Sequence, residues 1–149
     1  MIVFVGSDHN GFVMKASVLA YLKKRRITAM DIGDEKLDPD DDFPVFAGRA
    51  VNAIKTSHDP DPRAILICGS GQGMMMAANR FHGIRAGLGW SVDAANDIRN
   101  DEDCNVLALP SILLQNDEAL AHDIINTFLD TPFAAAARYK RRNRELDEL

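Results

Sequence analysis

Short apolar runs alternate with longer amphipathic segments along the whole chain. The short runs are rich in β-branched residues and bounded by polar or glycine-containing turns, which is typical of strands, whereas the longer segments have helical periodicity. The pattern predicts five strands, at residues 2–5, 27–32, 64–67, 84–88 and 104–109. It predicts helices at residues 12–26, 43–55, 71–80, 91–100, 112–129 and from about 133 to 148.

Strands that alternate with helices predict an α/β fold. We expect a Rossmann-like three-layer α/β/α sandwich, in which helices cover both faces of a five-stranded parallel sheet. The 149 residues suffice for one core and show no internal repeat, so residues 1–149 are predicted to form a single domain. Because ligands of such sheets bind beyond the carboxyl ends of the strands, polar residues that follow strands are the candidates for a functional site.

Composition and charge narrow the class of function. The net charge is −5 at pH 7, which disfavours a nucleic-acid backbone or an anionic membrane as partner. No apolar run approaches the roughly 18 residues that a membrane-spanning helix needs. The two cysteines, Cys68 and Cys104, lie in separate apolar segments without a C-x-x-C motif. This predicts free thiols and a cytoplasmic protein rather than a disulfide framework.

The segment with the richest chemistry is residues 64–73, an apolar run that ends at Cys68 and continues Gly-Ser-Gly-Gln-Gly. A buried strand that turns through glycines into a helix presents free backbone N–H groups and a positive dipole end, which suit an anion. The same positive end predicts a lowered pKa for the Cys68 thiol. The glycine spacing differs from the dinucleotide fingerprint. The alternative is that Cys68 is a buried apolar residue at a tight turn.

Two further groups of polar residues are candidates. Asp8 and His9 follow the first strand and could orient a hydroxyl and bind a phosphate, or Asp8 could simply cap the next helix. Arg138 and Arg142 share one face of the last helix and could hold a phosphate between them, or form a solvated basic face. We interpret the acidic run at residues 38–42 as a solvated loop, because no spaced metal-ligand pattern accompanies it.

Together these motifs resemble the type B ribose-5-phosphate isomerases, a family that also contains the galactose-6-phosphate isomerase subunits and isomerases of tetrulose phosphates. The resemblance covers nearly the whole chain in order. The motifs that carry it are Ser7-Asp-His-Asn-Gly-Phe12 with Lys15, Asp42-Phe-Pro44 with Ala47, Ile65-Leu-Ile-Cys-Gly-Ser-Gly71, Ala77-Ala-Asn79 with Gly83-Ile-Arg-Ala86, Asn105-Val-Leu-Ala108, and the Arg138-x-x-x-Arg142 pair.

The resemblance implies an aldose–ketose isomerisation of a phosphorylated sugar through an enediolate, with no metal or organic cofactor. It implies that Cys68 is the base that moves a proton between two carbons and that Ser70 helps shuttle the oxygen-bound proton. It implies that Asp8 handles substrate hydroxyls or the ring oxygen. The backbone amides of the loop would stabilise the enediolate, at Gly69, Gly71 and Gly73.

The resemblance also implies how the phosphate is bound and how the chains assemble. His9, Arg138 and Arg142 resemble the phosphate ligands of the family. In the family the site lies between two subunits, so we expect a homodimer or a dimer of dimers. The C-terminal helix, from about residue 133, is then expected to pack on the partner. The two arginines of a site can therefore come from the partner chain.

Two positions depart from the family pattern. Ribose isomerases carry a His-Asn pair before the Asn-Val-Leu-Ala motif, and the histidine opens the sugar ring. This chain has Asp101-Glu102 there, and Pro110-Ser111-Ile112 where a Gly-x-Arg pattern tends to follow. Asp101 is a possible replacement for the histidine, although the ordinary pKa of an aspartate is far below neutrality.

The lost histidine favours a substrate that needs little ring opening, such as a tetrose or tetrulose phosphate, since a four-carbon chain with a terminal phosphate cannot close the usual ring. Ribose 5-phosphate and hexose phosphates stay open as substrates. The alternative from another class is a non-catalytic sugar-phosphate-binding subunit that pairs with a homologous chain.

Overall fold

The fold is built on one parallel sheet. A computed structural model describes all residues of the chain, 1–149. The strand order is β2-β1-β3-β5-β4, and every neighbouring pair is parallel. The third strand is therefore central, and its carboxyl end lies in the middle of the sheet edge. The strands are β1 (Ile2–Ser7), β2 (Thr28–Asp31), β3 (Pro62–Cys68), β4 (Ala86–Leu88) and β5 (Val106–Pro110).

Seven helices accompany the sheet: α1 (Phe12–Lys24), α2 (Phe43–Thr56), α3 (Gln72–Ala78), α4 (Val92–Asn100), α5 (Ser111–Leu114), α6 (Glu118–Asp130) and α7 (Ala137–Asp147). Side chains of α1 and α4–α6 form one core against the sheet, and those of α2 and α3 form a second core on its other face. The predicted three-layer α/β/α architecture with five parallel strands is confirmed. None of the helices is both long enough and apolar enough to cross a bilayer.

The central strand β3 joins the two cores and directs the candidate thiol. Its residues from Arg63 to Cys68 are all buried, as expected for a strand covered on both faces. Because side chains alternate along a strand, Ile65 and Ile67 pack with α1 and α6, whereas Leu66 and Cys68 face α2 and α3. Burial of each large aliphatic side chain contributes about 1.5–3 kcal/mol, so the strand that ends at Cys68 is firmly held.

The predicted helix over residues 112–129 is wrong as one element, because the chain turns at residues 115–117. The Asp117 side chain accepts a hydrogen bond from the N–H of Leu120 at 3.0 Å and thereby starts α6 as a new helix. Aspartate is a strong N-cap. The turn separates the short helix α5, which directly follows β5, from α6, which packs along the sheet.

The last helix begins at Ala137 rather than at about residue 133. Pro132 disfavours helical backbone in the residue before it, and Ala135 has a left-handed φ of 53°, so residues 131–136 stay outside the helix. Asn143 is the only buried residue of α7. This helix therefore adds almost nothing to the core of its own chain.

Candidate active site

The polar loops after β1 and β3 are packed directly against each other. The N–H of Asp8 donates to the carbonyl of Ile67 at 3.3 Å. Gly11 lies so close to the same carbonyl that a β-carbon at this position has no room. The glycine in the sequence Asp-His-Asn-Gly is thus required by a close backbone approach, which brings the loop that carries Asp8 and His9 against the carboxyl end of β3.

Asp8 is a buried carboxylate that also caps the short 3-10 turn His9–Gly11. Its Oδ1 accepts hydrogen bonds from the N–H groups of Asn10 at 2.9 Å and Gly11 at 3.2 Å. Asp8 therefore caps the turn that leads into α1, whose own N-cap is Gly11, but both bonds reach Oδ1 and leave Oδ2 without a protein partner. Burial raises the pKa of Asp8, and the two amide bonds offset part of that shift.

The Cys68 thiol lies under the start of the glycine loop. The N–H of Gly71 donates to its Sγ at 3.1 Å, and Gly71 itself adopts a left-handed φ of 76° to turn the chain into α3. The predicted decrease in the pKa of Cys68 is wrong. Burial raises the pKa of this thiol, the nearby Asp8 carboxylate adds to the increase, and the backbone N–H groups of Met74, Gly71 and Ser70 offset only part of it.

The loop leaves backbone donors free next to this thiol. The N–H groups of Gly69 and Gly73 have no acceptor within the chain. Ser70 is exposed, and its Oγ accepts a 3.4 Å hydrogen bond from the N–H of Gln72. A β-carbon on Gly73 would meet the ring of Phe43 at 3.0 Å, so the ring packs against bare backbone. Unpaired amides at a strand-to-helix turn form a preorganised hole for an oxyanion.

His9 has a partner that the sequence did not indicate. Its Nδ1 lies 2.6 Å from Asp41 Oδ1, and its backbone N–H donates to the same oxygen at 3.1 Å. The Asp41 side chain is only 9% exposed, so the interpretation of residues 38–42 as a wholly solvated loop is wrong at this position. The one available signal was the acidic run itself, placed directly before α2. The contact with Asp41 raises the pKa of His9.

Arg138, Arg142 and Asp101 lie at the opposite, amino edge of the sheet. Asp101 ends α4 just before β5, and both arginines are exposed on α7. The segment before α7 is bonded to Asn100, and Arg85, which precedes β4, pairs with Asp147 near the end of α7 at 3.3 Å. A seven-residue strand spans about 20 Å. In a single chain these three residues are therefore remote from Cys68.

Both cysteines are free, as predicted. No three His, Cys, Asp or Glu side chains converge in the manner of a metal site. A parallel α/β sheet whose central strand ends in a thiol, beside free amides, a carboxylate and a histidine, defines an α/β enzyme suited to acid–base chemistry on an anionic substrate.

Comparison with known proteins identifies the family. The family model described as Ribose/Galactose Isomerase matches residues 3–146. The chain is 37% identical over 142 residues to ribose-5-phosphate isomerase B of Mycolicibacterium paratuberculosis, covering 95% of this chain and 87% of that protein. It is 37% identical over 133 residues to the 4-deoxy-4-sulfo-D-erythrose isomerase of Clostridium sp., covering 89% of this chain and 81% of that protein.

A solved relative has the same fold. The crystal structure of ribose-5-phosphate isomerase B from Mycoplasma genitalium with bound ribulose-5-phosphate superposes with a TM-score of 0.89 at 32% identity, covering 99% of this chain and 94% of the other. The chain belongs to the ribose/galactose isomerase family. The predicted family and the predicted enzyme class, aldose–ketose isomerase, are confirmed.

Proposed function

We propose that the chain is a cofactor-free isomerase that interconverts an aldose and a ketose phosphate through an enediolate, with Cys68 as the base. The observation that carries this proposal is the contact of Cys68 Sγ with the Gly71 N–H at 3.1 Å, beside the unpaired N–H groups of Gly69 and Gly73. Base and oxyanion hole are then within one loop.

The chemistry follows from these positions. The Cys68 thiolate removes the proton from the carbon beside the carbonyl, and the C–H electron pair forms the enediolate. The glycine amides stabilise the negative oxygen, at about 3–4 kcal/mol for a good donor. Ser70 moves the hydroxyl proton between the two oxygens. The thiol then returns its proton to the neighbouring carbon, so that the isomer forms without net gain or loss of atoms or electrons.

The phosphate site is proposed to lie between two chains. His9 of one subunit and Arg138 and Arg142 of another would hold the anion, because two guanidinium forks and an imidazolium bind phosphate strongly. The placement of the arginines at the amino edge, on a helix with one buried residue, supports their contribution to another subunit. The same feature supports the expectation that α7 packs on a partner in a homodimer or a dimer of dimers.

Subunit mixing tests this shared site. Cys68→Ala and Arg142→Ala proteins are each expected to be nearly inactive, and joint refolding of equal amounts should restore about a quarter of wild-type activity. Half of the random dimers are hybrids, and each hybrid has one intact site of two. Two Cys68→Ala preparations refolded together are the control and should stay inactive. Absence of any recovery in verified hybrids would show that both residues serve the same chain's site.

The proposed substrate has a short carbon chain. The Asp101-Glu102 pair replaces the ring-opening histidine of the ribose isomerases, and a four-carbon sugar with a terminal anion needs no ring opening. The relative that acts on 4-deoxy-4-sulfo-D-erythrose, a four-carbon sugar by its name, supports this choice. The relative with bound ribulose-5-phosphate keeps the five-carbon substrate as the second candidate.

Restoration of the histidine tests the substrate proposal. Position 101 lies at the same amino edge as the two arginines, so its side chain is proposed to act, like them, at the site of the partner chain. Asp101→His is therefore expected to raise kcat/KM for ribose 5-phosphate by at least about tenfold, since a positioned acid–base group contributes about 10²–10⁴-fold. Turnover of tetrose phosphate should change little. The neighbouring substitution Glu102→His is the matched control and should give no such gain. An equal response of both substrates would contradict a role of position 101 in ring opening.

Proton exchange tests the function as a whole. The purified chain is offered ribose 5-phosphate, allose 6-phosphate, galactose 6-phosphate and tetrose and tetrulose phosphates, together with 4-deoxy-4-sulfo-D-erythrose, in deuterated water. NMR should show deuterium at the carbon beside the carbonyl of one substrate, and only with an intact Cys68. Lack of exchange on every compound would favour the alternative, a binding subunit that needs a homologous chain.

A further inference from the structure

Asp41 joins the loop before α2 to the proposed anion site. One of its oxygens accepts the backbone N–H of His9 at 3.1 Å and lies 2.6 Å from the ring Nδ1. We propose that Asp41 is a positioning residue, which holds the His9 ring by Nδ1 so that Nε2 is presented to the anionic end of the substrate. This proposal rests on the proposed function, in which His9 binds that anion.

The two bonds from Asp41 constrain both the backbone and the ring of His9. With Nδ1 engaged, Nε2 is the only ring atom that can reach a ligand. In the free chain Nε2 lies 2.9 Å from the amide nitrogen of Asn10, a solvent-exposed contact. A substrate anion can replace this contact, because the Asn10 side chain is exposed and a charged N–H···O bond is stronger than a neutral one.

The loop that carries Asp41 is anchored, so the carboxylate is not a mobile surface group. Lys15 is buried, and its Nζ donates to Asp31 Oδ1 at 2.9 Å and to the carbonyl of Asp34 at 2.8 Å, which fixes the start of the loop. The N–H of Asp41 donates to the carbonyl of Asp38 at 3.3 Å. At the loop's end α2 begins at Phe43. Asp41 is thus held in place from both sides.

The carboxylates around His9 all raise the pKa of its ring. The hydrogen bond from Asp41 is the main cause that raises the pKa of His9, and the carboxylates of Asp41, Asp8 and Asp38 add to it. A raised pKa keeps the ring protonated to a higher pH than usual. Loss of the Asp41 charge should therefore move deprotonation of His9, and with it the loss of anion binding, to lower pH.

The test compares Asp41→Asn with Asp40→Asn in the full chain. Asp40 is an exposed neighbour in the same acidic run with no side-chain contact to His9, so it removes the same formal charge without the bond. NMR follows the His9 ring Cε1–H through a pH titration, with the signal assigned from a His9→Gln protein. Steady-state kinetics follow KM and kcat for the substrate found by proton exchange.

The expected result separates the two variants. In Asp41→Asn the His9 ring should titrate at lower pH, KM should rise about tenfold, as for one weakened charge-assisted bond, and kcat should stay within about twofold. Asp40→Asn should match the wild type. Circular dichroism checks that both variants are folded.

Two outcomes would overturn the proposal. An Asp41→Asn protein with an unchanged His9 titration would show that the contact does not govern the protonation of the ring. Equal changes in Asp40→Asn would show that the effect comes from the net charge of the loop and not from the bond to His9. If no substrate is turned over, the proposed function fails, but the titration still decides whether Asp41 holds His9. Cysteine-dependent exchange with no Asp41 effect would leave the function intact and remove this proposal alone.

Discussion

Replacement of Cys68 by alanine is expected to lower kcat by about 10³-fold and to leave KM within a few-fold. A positioned base contributes about 10²–10⁴-fold, whereas the groups proposed to bind the anion are untouched by this change. The loss of one small buried side chain should leave the fold intact. Isomer formation and solvent deuterium exchange should fall together, because both require removal of the same carbon-bound proton.

The other cysteine provides the matched control for this prediction. Cys104 is also buried, and burial raises its pKa to about 12, but it lies just before β5 at the amino edge of the sheet. Cys104→Ala is therefore expected to reduce the stability modestly and to keep kcat near the wild-type value. A Cys68→Ala protein that retained more than about a tenth of the wild-type kcat would refute the assignment of this thiol as base.

The pH dependence provides a second readout of the same thiol. Only the thiolate can accept a carbon-bound proton, and burial raises the pKa of Cys68. The rate should therefore increase as the pH rises towards the pKa of the thiol. The contact with Asp41 raises the pKa of His9, which extends anion binding upward in pH. A rate that does not increase as the pH rises towards the pKa of the thiol would show that ionisation of Cys68 does not control the reaction.

The scaffold and the central thiol were predictable because they follow from local pattern. The β-branched run that ends at Cys68 is buried on both faces. A strand of this kind has a continuous run of apolar residues, so it can be predicted from neighbouring positions alone. The rule that ligands bind beyond the carboxyl ends of parallel strands then places Asp8 and Cys68 at one edge. The parallel direction of the strands follows from their alternation with helices, whereas the strand order was not predicted and comes from the structure.

Features that depend on tertiary contacts were not predictable. Asp41 and His9 are 32 residues apart, and no spacing rule connects them. The direction of the pKa shift of Cys68 depends on how deeply the thiol is buried, which outweighs the nearby amide N–H groups. The position of Arg138 depends on where the chain returns after α6, and the sequence shows only that Arg138 and Arg142 share a helix face.

Replacement of Gly71 by alanine is expected to cost about 3 kcal/mol of folding free energy and most of the activity. Gly71 has a φ of 76°, where a β-carbon is strained by about 1–2 kcal/mol. The added carbon would also collide with the Leu88 side chain and approach the Leu109 carbonyl carbon and the Pro110 nitrogen at 3.3 Å. Such overpacking costs about 1–3 kcal/mol.

The loss of activity follows from the same displacement. A shift of Gly71 moves the N–H that donates to Cys68 Sγ at 3.1 Å, and with it the start of α3. Thermal unfolding should show a Tm lower by roughly 10 °C, since about 1 kcal/mol corresponds to some 2–4 °C in a chain of this size. Deuterium exchange at the substrate carbon should decrease more steeply than substrate binding, because the base and the amides act on the reacting centre.

Gly48→Ala is the matched control for Gly71→Ala. Gly48 lies within α2, and a β-carbon there meets nothing within 4 Å. Alanine in a helix interior is favoured over glycine by about 1 kcal/mol, so this variant should unfold at a slightly higher temperature and keep full activity. The two substitutions add the same methyl group, and only the one at the turn should harm the enzyme. Equal Tm and kcat in both variants would show that the loop tolerates a different backbone and that its geometry does not set the rate.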